Sequence, residues 1–278
     1  MQCTVAVIQC EIAQFAPDAN LRKAEQFIQQ AANQGAQLVV FPEDFVTGPI
    51  NGAADFVDFT GHYLSLFQQL ARRYQIDLVP GSIIEGDPQG WYNTTYYIDR
   101  FGDCKGRYRK ANLWHPERSY LSPGNEFPVF HTSYGNVGLL ICWDLAFPEA
   151  FRAMVRQGVD LVICPSYWCF EDAGIGLHYE TQSEVILVDA LCVARAFEHE
   201  IALIYANAAD TIPLPTSPVT EHLIGHSQIT LPFKGVLQRL EHNREAMFLQ
   251  QIDTALLTDA ESVYQIRADL ARRSDLFS

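Results

Sequence analysis

Basic side chains are scarce in this sequence. The 278 residues include 19 lysines and arginines against 33 aspartates and glutamates, so the formal net charge at pH 7 is −14. A protein of this charge is repelled by phosphate backbones and by anionic membrane surfaces. We therefore expect no nucleic-acid partner and no membrane partner.

Long hydrophobic runs and an export signal are also missing. The longest apolar stretches, such as residues 137–143 and 201–206, are far shorter than the roughly 20 residues that a membrane-spanning helix needs. The first residues, MQCTVAVIQCEI, lack a basic region and a small-residue cleavage site. The seven cysteines are odd in number and scattered, which is typical of a reducing compartment. These observations predict a cytoplasmic protein.

Motifs for metals and nucleotides are absent as well. The sequence contains no HExxH, GxGxxG or P-loop pattern. His222 and His226 are four residues apart, but Pro218 and Gly225 argue against a helix that would bring them onto one face. Asn93 begins a glycosylation sequon, which has no role in a protein that is not secreted. We expect no metal site and no cofactor.

The overall composition is that of a folded globular protein. Hydrophobic residues make up 48% of the chain and charged residues 19%. A chain of this length buries about 75% of the surface that its unfolded form exposes, so it needs no disulfide or metal to hold a core. The segments after residue 226 carry too few apolar positions for a second core. Residues 1–278 are therefore predicted to form one domain.

Strand-like runs alternate with amphipathic helical patterns along the whole chain. In the first helix the apolar residues share one face, with Asn20 as the predicted N-cap and Gly35 just beyond the end. Further helices are predicted over residues 61–74, 148–157 and 183–200. Strands are predicted over residues 3–12, 37–41, 77–84, 129–130, 136–141, 159–164, 201–206 and 227–232.

Two further segments refine the predicted fold class. Residues 92–108 read as a hairpin that turns at 100–103, and residues 208–226, with three prolines, read as a long surface loop. Helices long enough to cover strands, combined with an antiparallel hairpin, favour a layered α/β protein with a mixed sheet. This pattern disfavours a pure Rossmann or barrel alternation.

Cys142 stands at a strand-to-helix junction. It follows the strand NVGLLI, and Pro148 suits the first turn of the next helix. A strand, a tight turn and a helix can lift a nucleophile out of a sheet edge. Backbone N–H groups near a helix start favour a thiolate and can bind an oxyanion. The alternative is a buried structural cysteine, which is common among free cysteines.

Two charged residues occupy similar positions. Glu43 follows an apolar strand and a proline in VVFPEDF, and Lys110 closes a strand in GRYRKANLW. Sites in α/β proteins are usually built at strand ends. For either residue alone, a solvated surface charge is by far the more common explanation. Together with Cys142, the two charges indicate a catalytic site.

These segments resemble the nitrilase superfamily of carbon–nitrogen hydrolases, whose catalytic Glu, Lys and Cys occur in this chain order. FPEDF carries Glu43, YRK ends at Lys110, CWDLAFPE begins at Cys142, and ERSYLSPG places Glu117 at the family's second glutamate. The resemblance continues through PSYW, ARAFEHE, Asn207, GHSQI and RADLARRSDLF, and so spans essentially the whole chain.

The resemblance implies a role for each matching residue. Glu43 would accept the thiol proton of Cys142, and the thiolate would attack an amide carbonyl to form a thioester. Lys110 and the backbone N–H of Trp143 would stabilise the oxyanion. Glu117 would orient Lys110 or the substrate, since a buried ammonium needs a carboxylate partner.

The resemblance also implies the wall of the substrate pocket and the assembly. Tyr167 and Trp168, in PSYW, are expected to line the pocket with Trp143, although simple packing explains the two PSYW aromatics equally well. The fold is expected to be a four-layer α-β-β-α sandwich that forms a homodimer or a higher homo-oligomer. The C-terminal tail, about residues 254–278, resembles the segment that often crosses the dimer interface.

Departures from the family's motifs bear on the substrate. Ala146 stands where many amidase branches have arginine, and Trp143 stands in place of tyrosine. True nitrilases typically carry glutamate at the position of Asp144. We predict hydrolysis of a small linear amide to a carboxylic acid and ammonia. The alternative is an N-carbamoyl amine or amino acid amidohydrolase. A nitrilase and a catalytically silent binding scaffold are less favoured alternatives.

Overall fold

Fifteen strands and six α-helices form the part of the chain that the computed structural model describes, residues 2–213 and 220–273. The strands are β1 (Gln2–Gln9), β2 (Leu38–Val40), β3 (Asp77–Val79), β4 (Ile83–Asp87), β5 (Gly90–Ile98), β6 (Cys104–Arg109), β7 (Val129–Thr132), β8 (Gly135–Leu139), β9 (Leu161–Ser166), β10 (Ala202–Asn207), β11 (Thr211–Pro213), β12 (Thr220–His222), β13 (Gln228–Leu231), β14 (Gly235–Arg239) and β15 (Ala246–Asp253). The helices are α1 (Pro17–Asn33), α2 (His62–Tyr74), α3 (Pro148–Val155), α4 (Ser183–His199), α5 (Ala255–Tyr264) and α6 (Ile266–Arg272).

Two large mixed sheets form the centre of the fold. The first has the order β15-β1-β2-β3-β5-β4, with β6 paired to β5, and the second has the order β14-β13-β10-β9-β8-β7. In the first sheet β1, β2 and β3 run parallel, while β15 lies antiparallel to β1. In the second sheet β8, β9 and β10 run parallel and the outer strands are antiparallel. The predicted mixed α/β architecture is confirmed.

Alternation along β1 shows how the layers are built. Val5 and Val7 point into a cluster that also contains β9 and β10, whereas Ala6 and Ile8 point into a second cluster with α1 and α2. Both faces of this strand are therefore buried, as expected for a strand inside a layered fold. Helices α3 and α4 contact each other and cover the outer face of the second sheet. The result is the predicted α-β-β-α sandwich.

The structure corrects two local predictions. Asn20 is not an N-cap, because α1 begins earlier, at Pro17, whose fixed φ suits the first helical turn. The Asn20 side chain instead bonds to the backbone of Ala13 and to Val46 O. The single strand predicted over residues 77–84 is two strands, β3 and β4, separated by Gly81 at a φ of +75°.

The C-terminal third contains more strand than predicted. Within the predicted loop over residues 208–226, β11 pairs antiparallel with β12, although residues 214–219 lie outside the described residues. Strands β14 and β15 had no predicted counterpart, because their apolar pattern is weak and β14 lies at a sheet edge. Residues 274–278 of the predicted interface tail are also outside the described ranges. None of the described helices has the length and apolar character needed to cross a membrane.

Candidate active site

Three chain segments bring the predicted catalytic side chains together. Glu43 follows β2 in the first sheet, Lys110 follows β6 in the same sheet, and Cys142 follows β8 in the second sheet. The backbone N–H of Glu43 donates to Ser166 O at the end of β9, at 3.2 Å, which ties the two sheets together at this point. The strand ends therefore meet as the sequence predicted.

The turn that carries Glu43 depends on a glycine. Gly81 lies against this turn, and a Cβ atom added to Gly81 would stand 1.9 Å from Pro42 O. Its φ of +75° is also in the left-handed region that favours glycine. The close approach allows the turn to place Glu43 inward, where the residue is only 2% exposed.

The Lys110 ammonium lies between two carboxylates. Its Nζ donates to Glu43 Oε1 at 2.8 Å and contacts both oxygens of Glu117, at 3.0 and 2.8 Å. The Lys110 side chain is 1% exposed, so water does not screen these contacts. Paired in this way, the buried ammonium avoids the large free-energy cost of an isolated buried charge.

Asn93 joins the same two carboxylates from the neighbouring strand β5. Its Nδ2 donates to Glu43 Oε1 at 2.8 Å and to Glu117 Oε1 at 3.2 Å. The backbone of Tyr167 holds the other oxygen of Glu43, since its N–H donates to Oε2 at 2.9 Å. Three donors thus fix the Glu43 carboxylate in one orientation.

Cys142 adopts a backbone conformation that is rare for residues other than glycine. Its φ is +45°, and residues 142–146 form a short 3₁₀ segment that leads into α3. The Cys142 thiol lies 3.8 Å from Tyr167 O, and the charge of Glu43 acts on it. The predicted strand, tight turn and helix are present, and they turn the thiol towards Glu43.

Burial and charge set the protonation of the three groups. Burial, and then the negative charge of Glu43, raise the pKa of Cys142 well above its usual value, against the attraction of Lys110. Burial also raises the pKa of Glu43, which Lys110 opposes. Burial acts to lower the pKa of Lys110, but Glu117 and Glu43 outweigh it, so this pKa lies well above its usual value. The resting site therefore holds a neutral thiol beside a charged ammonium.

Asp144 holds the turn after Cys142 in place. Its Oδ2 accepts from the Tyr108 hydroxyl at 2.7 Å and from Ile141 N at 3.0 Å. Its Oδ1 accepts from the backbone N–H of Asn112 at 2.9 Å and from Asn112 Nδ2 at 2.8 Å. The carboxylate is fully buried, and its four donors link the cysteine turn to the segment that follows Lys110.

Replacing Asp144 with asparagine is expected to destabilise the protein. The asparagine NH₂ group would face donors that now bond to an oxygen, so at least one buried hydrogen bond is lost, at a cost of about 2–3 kcal/mol. Urea unfolding followed by circular dichroism measures the change. Asp103→Asn, on an exposed turn of the β5–β6 hairpin, is the matched control and should change the stability by less than about 0.5 kcal/mol. Equal stability of the two variants would contradict the role given to Asp144.

The three groups border a small cavity of about 150 Å³. Glu117 and all three predicted pocket residues, Trp143, Tyr167 and Trp168, also line it. The Trp143 ring lies edge-on to Trp114 at 4.6 Å and is tilted against Trp168 at 5.6 Å. Trp168 is buried, and its Nε1 donates to Glu184 Oε2 at 2.5 Å. The aromatic side chains give the Cys142 thiol a small enclosure of low polarity on one side.

The sequence matches the family described as carbon-nitrogen hydrolase over residues 4–261. The chain belongs to the carbon–nitrogen hydrolase family. It is 30% identical to the omega-amidase of Homo sapiens over 287 residues, which cover 99% of this chain and 96% of that protein. It is 28% identical to the 2-oxoglutaramate amidase of Bacillus subtilis over 241 residues, covering 85% of this chain and 86% of the relative.

A solved structure extends the similarity to the fold. A mutant of the amidase from Nesterenkonia sp. AN1, with the acetamide moiety of fluoroacetamide added covalently at its active-site cysteine, aligns with a TM-score of 0.78 and 26% identity. The alignment covers 97% of this chain and 95% of that one. The predicted membership of the nitrilase superfamily is confirmed, and with it the class of hydrolases that act on carbon–nitrogen bonds.

Several residues around the site of this carbon–nitrogen hydrolase were not predicted. Asn93 was noted only as part of a sequon, although an asparagine within the apolar strand WYNTTYYI is a signal for a buried polar role. Asp44, Asp172 and Glu221 line the cavity but lie in segments without a recognised motif. Trp114 was also missed, because its contact with Trp143 joins segments that are distant in sequence.

The two histidines that were considered as metal ligands have separate partners. His222 Nδ1 lies 2.6 Å from Glu171 Oε1, and His226 Nδ1 lies 3.3 Å from Asp189 Oδ2. Within residues 2–213 and 220–273, no group of three or more His, Cys, Asp or Glu side chains is arranged to hold a metal ion. The described residues therefore offer no candidate metal centre in this carbon–nitrogen hydrolase.

Proposed function

We propose that the protein hydrolyses a small linear amide to a carboxylic acid and ammonia through a thioester on Cys142. The observation that carries this proposal is that Glu43, Lys110 and Cys142 line one cavity, where the Glu43 carboxylate accepts from the Lys110 ammonium at 2.8 Å and its charge raises the pKa of the Cys142 thiol. A base, a nucleophile and a cation are thereby placed around one point of a small cavity. The names of the amidase relatives support this reaction class.

The first half of the reaction forms the acyl enzyme. Glu43 takes the thiol proton as Cys142 sulfur bonds to the amide carbonyl carbon. The negative charge that develops on the carbonyl oxygen is stabilised by the Lys110 ammonium and by the backbone N–H of Trp143. Glu43 then gives its proton to the amide nitrogen, the carbon–nitrogen bond breaks, and ammonia leaves.

The second half of the reaction uses the same groups to release the carboxylic acid. Glu43, again a carboxylate, accepts a proton from a water molecule as the water oxygen bonds to the thioester carbon. The carbon–sulfur bond breaks, and Cys142 recovers its proton from Glu43. Glu117 contacts Lys110 rather than the thiol, so it acts by holding the ammonium in position. A neutral thiol in the resting state is no obstacle, because its proton moves during the attack.

An ammonia-release screen tests this proposal. Small amides, carbamoyl amines and nitriles are offered separately to the protein, with the Cys142→Ala variant as the blank. We expect ammonia from linear amides. Release of carbon dioxide together with ammonia from carbamoyl amines would favour the alternative activity, and turnover of nitriles alone would favour a nitrilase. A protein that releases no ammonia from any class would contradict the proposal and favour a binding scaffold.

We also propose the predicted organisation for the protein in solution. Residues 1–278 are taken as one domain, and the protein as a cytoplasmic homodimer or higher homo-oligomer. The described part of the tail supports an interface role, because Val263 is 66% exposed and the Phe233 and Tyr264 rings, also exposed, contact each other at 5.1 Å. Apolar side chains exposed together are a common mark of association surfaces.

A further inference from the structure

We propose that Asp44, Asp172 and Glu221 form a subsite for a positively charged group, so that the substrate is an amide carrying an ammonium group a short chain away. We call these three residues the acidic wall. The inference rests on the proposed function, since the acidic wall borders the same cavity as Cys142. It specifies the charge of the substrate, which the catalytic residues do not determine.

The charge balance of the cavity is the first argument. Five carboxylates line it, those of Glu43, Glu117 and the acidic wall, against a single cation, Lys110, among the described lining residues. Lys110 is already held by Glu43 and Glu117. Its charge lowers the pKa of Asp44 but does not outweigh burial and the neighbouring carboxylates. An enclosed site with this excess of negative charge attracts cations and repels anions.

Asp44 supplies an independent argument. It is 6% exposed, and among the described residues its carboxylate receives only a long contact of 3.5 Å from the Ser82 hydroxyl. Burial, followed by the charges of Glu43 and Glu117, raises its pKa well above the usual value. Without a cation beside it, this buried group favours its protonated form, because the ionised form is costly to bury. A positively charged substrate group in the cavity would supply the missing partner.

Among the described residues, a hydrogen-bond donor is seen on one oxygen each of Asp172 and Glu221. Asp172 Oδ2 accepts from Cys169 N at 2.9 Å, and Glu221 Oε2 accepts from the Tyr167 hydroxyl at 2.8 Å. The ion pairs of His222, His226 and Arg239 go to Glu171, Asp189 and Glu241 rather than to either of these carboxylates. Glu171, next to Asp172 but outside the cavity, does have such a partner in His222. The missing cations are therefore a feature of the cavity and not of the whole region.

The titration of Asp172 agrees with this picture. Burial, together with the nearby charges of Glu184, Glu221 and Glu171, raises the pKa of Asp172 to about 7, against the hydrogen bond from Cys169. The segment just before Glu221, LPTSPV at residues 214–219, contains no basic residue that could neutralise the wall. The charge must therefore be balanced by a ligand or by bound protons.

The acidic wall also excludes substrates of the opposite charge. An amide that carries a carboxylate, as 2-oxoglutaramate does, would place a second anion against the wall in a weakly screened cavity. The relative from Bacillus subtilis is named for that anionic substrate, whereas this cavity offers such a substrate no free cation among its described residues. We therefore infer that this protein differs from that relative in the charge of its substrate.

Three series of amides of equal chain length test the inference. The ω-amino amides carry an ammonium group, the n-alkanamides carry a methyl group in its place, and the ω-carboxy amides carry a carboxylate. We expect kcat/KM to be at least about tenfold higher for the best ω-amino amide than for its alkanamide, and lower still for the carboxy amide. An alkanamide hydrolysed as fast as its ω-amino counterpart would overturn the inference and leave the proposed function intact.

Variants locate the preference in the acidic wall. The ratio of kcat/KM between the ω-amino amide and its alkanamide should fall about tenfold in Asp172→Asn and in Glu221→Gln. Glu241→Gln removes one charge from an exposed carboxylate outside the cavity, and its ratio should match the unaltered protein. An unchanged ratio in both wall variants would contradict the assignment. If a wall variant fails to fold, the comparison of the three series in the unaltered protein remains decisive.

Binding separates this inference from the catalytic proposal. If no amide of any series releases ammonia, the proposed function fails. Calorimetric titration of the Cys142→Ala variant with the same three series then measures the charge preference without turnover. Tighter binding of the ω-amino amide would keep the acidic wall as a cation subsite, and equal or weaker binding would reject it.

Discussion

Replacing Cys142 with alanine is expected to lower kcat for amide hydrolysis by about 10⁵-fold, because alanine has no atom that can form the thioester. The remaining groups bind and polarise an amide but cannot split the reaction into two steps. The fold should persist, with a change in unfolding free energy of about 1 kcal/mol or less. Ammonia release measures the first effect, and urea unfolding measures the second.

A second buried cysteine provides the control for this variant. Cys10 is fully buried in the cluster beneath α1 and α2, and it does not line the cavity. Cys10→Ala should therefore keep kcat close to that of the unaltered protein. A Cys142→Ala variant that keeps more than a tenth of the activity would contradict the role of the thiol. The same activity loss in both variants would show that the loss comes from the fold.

Replacing Lys110 with methionine is expected to remove activity and stability together. The oxyanion loses its cation, which should lower kcat/KM by about 10³-fold. Glu43 and Glu117 are left facing each other in a buried site without a counter-charge, at a cost of about 3–5 kcal/mol. A Lys110 variant with an undisturbed fold is incompatible with the two buried contacts of this side chain. Ammonia release and urea unfolding at pH 7 measure both effects.

The pH dependence of this loss identifies its cause. The pKa of Glu43 is already raised by burial, and loss of Lys110 removes the main opposing charge. A carboxyl whose pKa is higher in the folded than in the unfolded protein favours the folded state while it is protonated. The folded protein therefore loses stability as the pH rises and this carboxyl ionises. The stability deficit of Lys110→Met should therefore shrink at low pH and grow towards neutral pH. Adding Glu117→Gln should recover part of the stability and none of the activity, whereas a deficit independent of pH would contradict the charge-based explanation.

The sequence predicted those parts of the site that depend on local patterns. Glu43, Lys110 and Cys142 each follow a recognisable strand, and the structure brings their strand ends together. The hairpin at residues 92–108 and helices α2 and α4 were also predictable, because their turns and periodicity are local signals. The contacts among these three residues required only that the strands assemble in the family's order.

Other parts depended on contacts between distant segments. Asn93 acts on Glu43 and Glu117 only because β5 lies beside the turns that carry them, and nothing in the sequence near Asn93 specifies that neighbour. The acidic wall combines residues near positions 44, 172 and 221, so its charge is visible only after folding. Strand β15 pairs with β1 across the whole chain, and such long-range pairing has no short-range signature.

Alkylation by iodoacetamide tests the central claim most directly. This reagent is itself a small amide, and its methylene carbon bonds to sulfur as iodide leaves. Peptide mass spectrometry during the reaction follows each of the seven cysteines, and ammonia release is measured on the same samples. Because Glu43 accepts the thiol proton during the attack, we predict that buried Cys142 reacts before exposed Cys104, that activity is lost in parallel, and that substrate amides slow both. Alkylated Cys104 beside an unreactive Cys142, or full activity with Cys142 alkylated, would contradict the account.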